Sequence, residues 1–69
     1  MDYKKIFDNE IADAKMYHAA AKEHPEHEGF LRDMSHEELT HAKHVLEMAG
    51  NPHDMHEAYE KAWAEIMEG

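Results

Sequence analysis

Glu37-Glu38-Leu39-Thr40-His41-Ala42-Lys43-His44 holds a Glu-x-x-His pair inside a strongly helical run, and the reading of this octapeptide decides the rest of the chain. On an α-helix, residues three apart share a face, so Glu38 and His41 can offer a carboxylate oxygen and an imidazole nitrogen to one metal ion. The motif alone is weak, because a chain with eleven Glu and eight His should contain about one such pair by chance. Its position carries the information. Leu31, Met34, Glu38, His41, Val45 and Met48 follow steps of three and four, a single helical seam whose only polar members are the two candidate ligands. The look-alike pair Asp33 and His36 falls off this seam and reads as solvated.

This helix is expected from about Pro25 to Ala49, with Gly29 a tolerated weak point and Gly50-Asn51-Pro52 a strong stop. Before it, residues 3 to about 24 contain no Gly or Pro and are rich in Ala. Tyr3, Phe7, Glu10, Ala14, Tyr17 and Ala21 repeat the same spacing there, with Glu10 the one polar member where a bundle core would favour Leu. His24-Pro25 breaks that helix, since Pro disfavours a helical residue before it and suits the first turn of the next helix. A third helix, about residues 53–68, places Met55, Tyr59, Ala62 and Ile66 on one face with Trp63 beside them. It carries no ligand set and reads as a packing element that closes the core or docks on another chain. Trp63 and the Met residues are assigned to the core.

The composition narrows the function. Residues 1–69 are expected to form a single all-α domain, and chains this short rarely bury enough apolar surface without a metal, disulfides or partner chains. The absence of Cys removes disulfides and thiolate metal sites, which leaves His and carboxylates as the strong ligands. Sixteen acids against seven Lys and Arg give a formal charge of −9, which disfavours nucleic acid and anionic membranes as partners and attracts cations. The segment from Met1 to Asp8 turns acidic before an apolar signal region could form, and no stretch has membrane-spanning length, so a soluble cytoplasmic protein is expected.

If the first two helices form an antiparallel hairpin, reflecting Glu10 through the His24–Pro25 bond lands at residue 39, between Glu38 and His41. At about 1.5 Å per residue the three side chains meet roughly 22 Å from the turn. Burying three such groups unpaired is costly, and a metal would offset that cost. One hairpin supplies two carboxylates and one imidazole, half of what a dinuclear site needs. Two hairpins about a twofold axis would supply four helices, four carboxylates and two imidazoles, a donor set suited to iron or manganese.

A helix with one Glu followed by a helix with Glu-x-x-His resembles half of the ferritin-like four-helix bundle, and rubrerythrin-like members look most similar. Asn9-Glu10-Ile11-Ala12-Asp13-Ala14-Lys15-Met16-Tyr17 is similar to their first-helix pattern of a ligand Glu with Tyr seven residues later. Glu38-Leu39-Thr40-His41-Ala42-Lys43 resembles their second-helix pattern. The resemblance spans residues 3 to 49, and it implies a di-iron carboxylate protein oxidising Fe(II) with dioxygen or hydrogen peroxide, as a ferroxidase in iron storage or detoxification. It implies Glu10 and His41 as terminal ligands, Glu38 as the bridge and Tyr17 close by, with Mn or Zn as possible substitutes for Fe. The chain departs from the pattern in lacking the second half of the bundle, which demands a homodimer or a multiple of dimers. It also lacks a four-cysteine rubredoxin-type donor, which argues against complete rubrerythrin-type peroxide reduction.

Tyr17 reads equally as a core aromatic or as a hydrogen-bond donor beside the site. Glu37 and His44 flank the seam, either solvated or as additional ligands or neighbours of the ligands. Asp13 could hold the second nitrogen of His41 or lie at the surface. The rival reading from another class is a non-catalytic acidic helical interaction module, in which Glu10, Glu38 and His41 only fix the pairing of helices.

Overall fold

A computed structural model describes residues Met1–Gly69. Three α-helices carry the fold: α1 (Tyr3–Glu23), α2 (Glu28–Met48) and α3 (His53–Trp63). The Asp2 side chain caps α1 by accepting a hydrogen bond from the Lys5 backbone N–H at 3.1 Å, which satisfies one of the donors left open by the first turn. Pro25 then starts a single 3₁₀ turn, Pro25–His27, so α2 begins three residues later than its sequence pattern suggests. Proline fixes its own φ near the helical value but excludes helix at His24, and the chain reverses within that turn.

At the other end of α2 the stop is a Schellman motif. The Asn51 N–H donates to the Leu46 carbonyl at 2.9 Å and the Gly50 N–H donates to that of Glu47 at 3.1 Å. Gly50 takes φ 86° and Asn51 φ 56°, the left-handed region that Gly enters freely and Asn tolerates. Pro52 follows and α3 runs back, ending in a π-helical turn, Ala64–Glu68.

α1 and α2 form the expected antiparallel hairpin, and α3 packs across both. Phe7, Ile11 and Ala14 from α1 meet Leu39, Ala42, Val45 and Leu46 from α2, and Met55, Ala62 and Ile66 close that core from the third segment. Tyr59 packs against the same core. The third segment therefore seals its own chain's core, on the face assigned from sequence. Ser35, fully buried, donates its hydroxyl proton to the Ala14 carbonyl oxygen at 2.7 Å. Small residues at 14, 35 and 42 let the two backbones approach closely enough for that bond.

The line of α2 that faces inward, toward α1 and α3 together, is not the expected one. The buried line is Ser35, Leu39, Ala42 and Leu46, one residue on from the expected seam, with Val45 shared by both. Leu31, Met34 and Glu38 are half-buried, while His41 and Met48 are exposed. The same choice of side corrects the assignment of Trp63 and most Met residues to the core. Trp63 is 42% exposed, Met16 51%, Met48 59% and Met67 45%, and of the six methionines only Met55 is buried.

Candidate metal centre

α1 contributes Glu10 and α2 contributes Glu38 and His41, and the hairpin sets all three at one level. One donor atom from each lies within 4.8 Å of the other two. The Nδ1 atom of His41 stands 3.0 Å from Glu38 Oε1 and 3.5 Å from Glu10 Oε2. For comparison, two ligand atoms held at right angles about 2.1 Å from one ion are about 3.0 Å apart, so small side-chain rotations would close the set on a cation. The donors converge as the reflection through the turn anticipated, because both helices advance by the same rise per residue.

Burial of the three is unequal. The side chains of Glu38 and Glu10 are 15% and 23% exposed, while His41 is 56% exposed. A single chain thus already covers most of both carboxylates and leaves the imidazole facing solvent. Burial pushes the Glu38 carboxyl above its ordinary range; the hydrogen bond with His41 pulls it back, and the neighbouring Glu10 carboxylate pushes it further up. Glu10 Oε2 is enclosed and has no hydrogen-bond partner, since its 3.5 Å approach to His41 lacks the geometry of a bond. A buried oxygen without a donor is the feature a cation would satisfy, and two carboxylates with one imidazole form a donor set that fits iron, manganese or zinc. No other group of three or more His and acidic side chains in the chain has this spacing.

The remaining residues singled out from sequence are placed around this cluster without joining it. Tyr17 is half-buried two turns further along α1. Asp13, Glu37 and His44 are exposed, and none makes a hydrogen bond or ion pair to Glu10, Glu38 or His41. Asp33 is exposed as expected. His36, its partner in the look-alike pair, is half-buried and lines a recess with His18 from α1 and Arg32 from α2, a neighbourhood that spacing along one helix could not reveal.

Comparison with protein-family models, curated proteins and solved structures finds no match. The chain has no helix long and apolar enough to cross a membrane.

Proposed function

We propose that Glu10, Glu38 and His41 form one half of a dinuclear iron site completed by a second copy of the chain, and that the protein oxidises Fe(II) with dioxygen or hydrogen peroxide. The observation that carries this reading is the enclosed, unpartnered Oε2 of Glu10 beside a second mostly buried carboxylate. Such an oxygen costs stability unless something positive meets it. Three protein ligands do not close an iron site, and a twofold pair would double them to four carboxylates and two imidazoles. Phe30, Met34, His41 and Met48 follow one strip of α2, and Phe30 and Met48 are 66% and 59% exposed. A second copy laid on that strip would cover them together with the imidazole. A stable pair buries about 800 Å² per partner.

Iron bound there would supply two electrons, one from each ion, enough to take dioxygen to peroxide or, with two protons, peroxide to water. The chain's own groups do the rest. Once deprotonated, Glu38 and Glu10 would hold the ions with two negative charges in a poorly hydrated place. His41 presents Nδ1 to both of them. Loading requires the carboxyls and that nitrogen to be deprotonated, so uptake releases protons, including the one that burial helps Glu38 retain.

The distances also favour one other reading. A proton on Nδ1 lets His41 act as the cation for both carboxylates, at 3.0 and 3.5 Å, and the cluster would then only fix helix pairing in an acidic interaction module. Anaerobic titration with Fe(II), followed by air, separates the two. The iron reading expects saturation near one Fe per chain, ferric-oxo absorption on oxidation, near-complete loss of rapid oxidation in Glu38→Ala and retention in Asp33→Ala. Equal rates in wild type, Glu38→Ala and His41→Ala would leave the interaction module standing.

A further inference from the structure

A groove of about 910 Å³ runs between the C-terminal half of α2 and the third segment, separate from Glu10, Glu38 and His41. We infer that it docks a cationic amphipathic peptide segment of a partner protein. Leu46, Tyr59 and Trp63 supply its apolar surface, with Leu46 buried, Tyr59 half-buried and Trp63 42% exposed. Tyr and Trp are the side chains that most often anchor protein interfaces, because each offers a large rigid face with a polar tip. Trp63 in particular lies next in sequence to the buried Ala62 and is kept out of the core by the packing of α3 itself.

The charge around these side chains selects the occupant. Glu47, Glu60 and Glu68 line the groove against Lys43 alone, which leaves it at −2 with His56 neutral. His56 lies 3.1 Å from Glu60, so that carboxylate holds a weak base that a Lys or Arg would replace. The chain as a whole stands at −9, which repels an acidic partner and speeds encounter with a basic one. An aromatic floor bordered by acids suits a segment with apolar residues on one face and Lys or Arg on the other, their cations placed over Trp63 and beside the glutamates.

Trp63 is the only tryptophan and therefore reports on its own groove. The probe is a synthetic amphipathic helix of Leu and Lys, titrated into the full-length chain, with the same peptide carrying Glu in place of Lys as its counterpart. The basic peptide should move Trp63 emission to shorter wavelength and saturate, and the acidic one should not. Glu47→Lys combined with Glu60→Lys should weaken binding at least tenfold. Glu23→Lys with Glu26→Lys, the same charge change placed at the hairpin turn, should alter it by less than threefold. If circular dichroism shows the first pair to be unfolded, Glu47→Gln with Glu60→Gln takes its place and should weaken binding at least threefold. Equal losses in the groove and turn variants would reduce the effect to general attraction and overturn the site. An unmoved Trp63 signal on binding, or an equal response to the acidic peptide, would also overturn it. A concentration-dependent Trp63 shift without any peptide would make a second copy of the chain the occupant instead.

Discussion

Replacing Glu10 by Leu should make the metal-free protein more stable and the iron-loaded protein less stable than the wild type. Without metal, the substitution removes a buried acceptor that has no donor, a defect worth about 1–3 kcal/mol. Because the Glu10 side chain keeps 23% of its surface exposed, the lower part of that range applies, about 1–2 kcal/mol. The loss on the other side is the 3.5 Å contact with a His41 that is 56% exposed, worth less than about 1 kcal/mol. Leu and Glu have similar helix propensity, so α1 itself is unaffected. In a domain of this size the net gain corresponds to a rise in Tm of roughly 4–8 °C per kcal/mol. Under anaerobic Fe(II) at one hundred times its Kd the wild type gains about 2.7 kcal/mol by linkage, and the variant, short of a ligand, should gain little. The order of melting temperatures therefore inverts on adding iron. Scanning calorimetry at one fixed protein concentration, with and without Fe(II) under argon, measures all four values. A metal-free Glu10→Leu protein that melts below the wild type would show that Glu10 stabilises the hairpin through His41. Equal shifts on adding iron, or none, would place the metal elsewhere.

Three further outcomes follow from the same geometry. Because burial raises the folded pKa of Glu38, the proton is held in the folded state above the ordinary carboxyl value of 4.5, so the stability linked to this group is present at low pH and lost as pH rises through the folded value. The stability advantage of metal-free Glu38→Gln over wild type should accordingly be flat below pH 4.5 and grow as pH rises above it, read by urea denaturation across the range; a constant difference would contradict the assignment. Ser35→Ala removes the buried bond to the Ala14 carbonyl and should cost about 0.5–1.5 kcal/mol, while Ser35→Leu, forced between closely approaching backbones, should cost more, about 1–3 kcal/mol from overpacking alone. Gly50→Ala meets open space but must keep φ 86°, so its cost is purely backbone strain, about 1–2 kcal/mol in thermal denaturation.

Local rules made much of this fold legible. Helix periodicity, the Pro25 break and the Gly50-Asn51-Pro52 stop act over a few residues, and the three helices lie where those signals place them. The meeting of Glu10 with Glu38 and His41 was also legible, because an antiparallel hairpin with equal rise per residue maps one helix onto the other through its turn. The tertiary structure alone decided which side of the hairpin is covered. Both helices carry apolar residues on two adjoining lines, and the hydrophobic pattern is nearly the same whichever line α3 takes. The packing of α1 and α3 against α2 buries Ser35, Leu39, Ala42 and Leu46 and leaves Met48, Met16 and Trp63 in solvent. The Ser35 bond to α1, the shared recess of His18 and His36, and the enclosure of the Glu10 oxygen are likewise tertiary outcomes, since each depends on residues far apart in sequence, beyond the reach of any helical repeat.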